Sequence, residues 1–117
     1  MFLSSAPRRI LAYSEPVDMR KSFDGLSALT ESVLEQDPTS GHCFVFVNRR
    51  RDRIKILYWD GTGLWVMTKR LEKGTFAWPC GVKVKHGKLA LQPEALALLL
   101  DGVDLKSGSM RPWYQRS

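Results

Sequence analysis

The sequence predicts an α+β fold in which a mostly antiparallel β-meander packs against an N-terminal helix and a short C-terminal helix. Three observations carry that prediction. Between Cys43 and Pro79 short runs of β-branched and aromatic residues alternate with turn signals, the mark of consecutive antiparallel strands. Upstream, Phe23, Leu26, Thr30, Val33 and Leu34 recur at helical spacing. Downstream, Pro93 stands where a first helical residue would, before the apolar run Glu94 to Leu100 and Gly102.

Taken in order, Arg9 to Tyr13 (RILAY) is a short apolar stretch closed by Ser14, Glu15 and Pro16, compatible with an edge strand. Asp18 is placed to cap a helix spanning about Met19 to Glu35, its side chain accepting from free first-turn amides. Arg20 lies four residues before Asp24, which makes an ion pair between them the simple expectation. Gly25 inside a helix costs about 1 kcal/mol relative to Ala, which suggests that another backbone packs closely there. Asp37 to Gly41 is a cluster of helix breakers that reverses the chain.

The first strand of the meander, Cys43 to Asn48, is apolar on both faces, as for a strand covered from two sides. Arginines 49 to 51 and Asp52 make the next turn. In the following strand Ile54, Ile56 and Tyr58 alternate with Arg53, Lys55, Leu57 and Trp59, which predicts one apolar face and one basic face. Asp60-Gly61 marks a hairpin, Leu64 to Leu71 the third strand, and Thr75 to Trp78 a fourth, stopped by Pro79. Gly81 to Lys88 alternates Val with Lys like an exposed hairpin arm. Residues 1–104 are expected to form one domain and 105–117, which lack periodicity, a flexible tail.

Eighteen Lys and Arg against twelve Asp and Glu give a net charge of +6 over 117 residues. The excess is local: residues 38–90 hold eleven basic residues and three acidic ones. Arg49, Arg50, Arg51, Arg53, Lys55, Lys69, Arg70 and Lys73 could track a phosphate backbone, each contact releasing condensed counterions. Trp59, Trp65 and the tail aromatics Trp113 and Tyr114 could stack on bases or anchor a protein partner. The competing view is that the charges solvate an open sheet face while Trp65 and Trp78 fill the core.

Catalysis finds little support. Asp18, Asp52, Asp60 and Glu72 all have structural explanations as cap or turn residues, and no nucleophile elbow, phosphate loop or dinucleotide fingerprint occurs. His42, Cys43, Cys80 and His86 match no zinc spacing, so neither metal nor cofactor is expected. Two cysteines are too few for a disulfide scaffold, and no apolar run is long enough to span a bilayer. A cytoplasmic protein without membrane contact is the expectation.

The blocks DMRKSFDGL (Asp18 to Leu26), GHCFVF, the arginine turn, IKILYWDGTG, KRLEKGTFAWP and LALQPEALALLLDGVD together resemble the second-reading-frame (Orf2-like) accessory proteins of bacterial insertion sequences of the sixty-six family. The resemblance covers nearly the whole chain apart from its termini. It implies a non-catalytic accessory role in transposition, with the catalytic triad on a separate, larger transposase. It supplies no assigned binding residues. DNA, particularly the element ends, and that transposase are the expected partners. The alternative is a protein-protein adaptor within the transposase complex that never touches DNA. Self-association is left open.

Overall fold

In the computed structural model, residues 8–78 and 87–102 are described. A five-stranded mixed sheet runs in the order β4-β3-β2-β1-β5. Its strands are β1 (Ile10–Tyr13), β2 (Cys43–Val47), β3 (Arg53–Trp59), β4 (Leu64–Arg70) and β5 (Lys88–Leu91), with helices α1 (Phe23–Ser32) and α2 (Pro93–Leu100). The α+β class is therefore as the sequence predicts.

β1 is not an edge strand. It pairs parallel with β2, Ile10 opposite Cys43 and Ala12 opposite Val45, and antiparallel with β5 on its other side. Ile10, Leu11 and Ala12 are all buried. Side chains of successive strand residues point to opposite faces, so a strand without polar alternation belongs where both faces are covered. The parallel pairing needs a crossover, and α1 supplies it. From β2 onward the chain is a true antiparallel meander through β3 and β4.

Two apolar layers sandwich the sheet. On one face Leu11, Phe44, Phe46 and Leu57 pack with Leu26 and Leu34 from α1 and the residues after it. On the other, Ile10, Val45, Val47, Ile54 and Ile56 pack with Leu99 of α2 and with Phe76 and Trp78. Thr30 is fully buried on α1, which is tolerated because its hydroxyl donates to the Leu26 carbonyl at 2.8 Å.

Helix α1 begins later than Asp18 would predict. The Asp18 carboxylate instead accepts the Arg20 amide at 2.9 Å and takes the Arg20 guanidinium at 2.7 Å, and the Lys21 amide donates to the Asp18 carbonyl. Residues 18–21 thus form their own turn, Arg20 pairs with Asp18 rather than Asp24, and Ser22 stands at the cap without a side-chain bond. At the far end Glu35 takes a left-handed conformation, φ 54°, and the Gln36 amide turns back to the Thr30 carbonyl at 3.0 Å. The neighbour that Gly25 admits is the Lys21 side chain, 3.0 Å from an added Cβ, and not a second backbone.

Residues 75–78 do not form a fourth strand. The Phe76 amide donates to the Arg51 carbonyl and the Trp78 amide to the Phe76 carbonyl, so the chain dives beneath the sheet and buries Phe76 and Trp78 there. Helix α2 does more than sit near an edge. It follows β5 at one edge, and its Leu100 carbonyl accepts the Lys69 ammonium of β4, the opposite edge, at 2.7 Å. The expected hairpin arm of residues 81–86 and the tail of residues 105–117 lie outside the described residues.

Gly87 joins this frame at a constrained point. Its φ is +70°, and an added Cβ would sit 2.9 Å from Cε1 of Tyr13. Gly87→Ala is expected to cost about 1–3 kcal/mol through left-handed strain and displacement of Tyr13; a denaturant titration with unchanged midpoint would contradict this placement of β5.

Candidate nucleic-acid interface

The cations gather at one end of the sheet rather than on one face. The β2–β3 turn is organised by Asn48. Its side-chain oxygen accepts the amides of Asp52 at 3.1 Å and Arg53 at 3.0 Å, and its side-chain amide donates to the Asp52 carboxylate at 2.7 Å. The Arg51 amide closes back on the Asn48 carbonyl, with Arg51 in the left-handed region at φ 60°. Asn suits this role because its short side chain bonds backbone a few residues ahead. Arg49 and Arg50 are exposed at the tip of the turn and Arg51 is half-buried.

The chain leaving β4 then docks on the same turn. The Leu71 amide donates to the Asp52 carbonyl at 2.9 Å and the Phe76 amide to the Arg51 carbonyl at 2.7 Å, which brings exposed Lys73 alongside the arginines, together with Glu72. Arg53 and Arg70 face each other across β3 and β4, and both are exposed. Like charges directly opposite are unfavourable, so this end gains from an added anion. The Asp52 carboxyl is held below its usual range, first by Asn48 and then by Arg50 and Arg53.

Two of the expected contact residues are committed elsewhere. Lys55, on the α1 face, donates to the Lys21 carbonyl at 2.7 Å and ties the start of α1 to β3. Lys69, on the α2 face, holds the end of α2, where a cation also complements the helix dipole. The single basic face predicted for the sheet is therefore absent: both faces are covered by apolar layers, and the sequence alternation divides the lysines between them. Exposed Lys21 lies outside the predicted contact set, and Asn48, predicted as the end of a strand, organises the turn. An Asn opening a turn with Asp four residues on was the available signal.

The aromatics lie at the other end. Trp59 is half-buried and pairs with Leu64, six strand residues or roughly 20 Å from Arg53. Trp65 is 42% exposed instead of being core, while Trp78 is core. The Trp65 indole donates to Asp60 at 2.8 Å, and the same carboxylate accepts the Thr62 and Gly63 amides. These donors, the Thr62 amide first, lower the Asp60 pKa from 3.8 to about 2. Trp113 and Tyr114 lie outside the described residues.

Two further acids are structurally engaged, Asp18 by Arg20 and Asp37 by Thr39. Among the described residues no three His, Cys, Asp or Glu side chains converge as metal ligands. Cys43 is buried, which pushes its thiol up to about 11; Cys80 and His86 lie outside the described residues. Among those described, no helix is long and apolar enough to cross a membrane.

This geometry defines a small α+β protein with a covered sheet and a cationic end. The chain belongs to the family described as IS66 Orf2 like protein, whose family model matches residues 8–109. It is 42% identical over 104 residues to the uncharacterized protein y4jC of Sinorhizobium fredii (strain NBRC 101917 / NGR234), covering 89% of this chain and 86% of that one. The uncharacterized protein y4hO of the same strain is 38% identical over 87 residues, 74% of this chain and 73% of the other. No solved structure matches. The family supports an accessory role in transposition.

Two outcomes test the local geometry. Asn48→Ala leaves the Asp52 and Arg53 amides without their acceptor and should destabilise the protein by about 1–2 kcal/mol, measured by chemical denaturation. Because the folded Asp60 pKa lies below its ordinary value, its contribution to stability is fully present above pH 3.8 and is lost as pH falls toward about 2. Asp60→Asn should flatten the loss of thermal stability across that window; an unchanged acid limb would show that the Trp65 and turn-amide bonds carry no linkage.

Proposed function

We propose that this protein is a non-catalytic transposition accessory factor that contacts DNA through the cationic end of its sheet and assists the element's separate transposase. The observation that carries this reading is the convergence of Arg49, Arg50, Arg51, Arg53, Arg70 and Lys73 on one end, around a turn fixed by Asn48. A fixed turn presents its arginines with less ordering cost on binding than a loose loop would. Lys55 and Lys69 contribute charge from the two flanks and do not rank as primary contacts. Arg and Lys side chains in such a row neutralise successive phosphates, so backbone contact dominates and sequence preference is modest.

The adaptor alternative is favoured by a different observation. Phe23 and Trp65 are 47% and 42% exposed, away from the arginine turn, and exposed aromatics of this kind anchor protein interfaces. The two readings separate cleanly in solution.

Binding to element-end and scrambled duplexes over a salt series is the test. Affinity should fall steeply with salt for both sequences, and Arg49→Ala with Arg50→Ala should reduce the log–log slope by about 0.9 for each phosphate that is left unneutralised. Trp65→Ala should leave that slope unchanged. Absence of binding to either duplex at low salt sinks the DNA reading, and loss of transposase association on Trp65→Ala then establishes the adaptor.

A further inference from the structure

Among the described residues strand β4 closes the sheet on one side, and the orientation of its outer edge follows from the ladder it makes with β3. The Asp60 amide bonds the Gly63 carbonyl at one end, and the Leu71 amide bonds the Asp52 carbonyl at the other. With the register running from Trp59 opposite Leu64 to Arg53 opposite Arg70, antiparallel alternation directs the backbone of Trp65, Met67 and Lys69 toward β3. It directs that of Leu64, Val66, Thr68 and Arg70 outward. The strand is seven residues long and contains no proline. A regular edge of this length is a template for another strand.

The side chains along the edge are polarised. Phe23 and Trp65, the exposed large apolar residues among those described, line with Leu64 and Val66 a cavity of about 430 Å³ at the N-terminal half of β4. Beside it stands the Asp60 carboxylate, ionised above a pKa of about 2. The C-terminal half carries Lys69 and Arg70, with Lys73 just beyond. This pattern is self-complementary in one direction only. A parallel copy would set Lys69 on Lys69 and Arg70 on Arg70. An antiparallel copy sets each cationic half against the apolar half and its carboxylate.

We propose that β4 pairs antiparallel with β4 of a second copy of this chain, across a two-fold axis at Met67. In that register Leu64 faces Arg70 of the second copy and Val66 faces Thr68, so every outward amide and carbonyl of these four residues gains a partner. Trp65 lies opposite the other Lys69 and packs on its aliphatic stem, while that ammonium stays on its Leu100 carbonyl. The stem of the other Arg70 covers the cavity beside Phe23, and the other Lys73 approaches Asp60. One continuous sheet then runs through both copies, with the two arginine turns pointing in opposite directions along the strands, which keeps the cationic ends apart. Pairing of this kind does not depend on DNA binding.

The test is the association state of nuclease-treated protein at high salt, measured by sedimentation across a concentration series. A dimer is expected for the native chain. Thr68→Pro should shift it to monomer with its circular dichroism spectrum retained, because the Thr68 amide points outward and its loss leaves the β3–β4 ladder intact. In a Cys80→Ser background, Met67→Cys should form a disulfide-linked dimer under mild oxidation, since directly opposed Cβ atoms in such a pair lie about 4.5–5.5 Å apart. Thr68→Cys, whose counterpart would be Val66, should cross-link far less. A chain that remains monomeric throughout and gives no Met67→Cys cross-link overturns the proposal. So does a dimer that survives Thr68→Pro unchanged.

Discussion

Everything in this fold answers to the central strand β2, whose five residues, CFVFV, are all buried. A strand that is apolar on both faces cannot tolerate water on either, so each face must be covered by a separate apolar layer. Helix α1 and the turn after it provide one layer, and α2 with Phe76 and Trp78 the other. The consequence for function is geometric. Once both faces are sealed, charge can collect only at the strand ends and along the outer edges. The arginine turn is the connection that leaves β2, and the lysines on the flanks reach around to hold the two covers in place.

Those lysines show how one side chain can serve structure while retaining its charge. Lys55 and Lys69 point to opposite faces, yet each spends its ammonium on a backbone carbonyl at the end of a helix or the turn before one. Long flexible stems let the charged tips reach these backbone partners from the strands.

Much of the architecture was legible in the chain. The alternation in β3, the Asp60-Gly61 hairpin, the full burial of β2 and the Pro93 helix start are local signals, and each corresponds to an observed element. What escaped was long-range. RILAY carries no mark saying which strand it joins, and its inner position follows from pairing with residues more than thirty and more than seventy positions away. Asp18 carries a cap signal, but Arg20 outcompetes the helix amides for its oxygens. Phe76 and Trp78 alternate like a strand because they share a face, although the bond from the Phe76 amide to Arg51 does not continue into a ladder. The cationic residues were identified by type, while their division between end and flanks depended on which face each strand residue took. Trp65 has the composition of a core residue, and only the edge position of β4 leaves it exposed.

The inner position of β1 also sets an order of events during synthesis. Ile10 to Tyr13 leave the ribosome first, but their parallel partner arrives only with Cys43 to Val47 and their antiparallel partner only with Lys88 to Leu91. Closing such separations costs loop entropy before any contact repays it. Until then an apolar strand with two unsatisfied edges stands in the nascent chain, the kind of surface that invites misassembly. The meander β2–β4 can form meanwhile from local contacts. Strand β5 therefore completes the environment of β1 long after β1 is made, and a truncation before Lys88 would leave β1 open along one side.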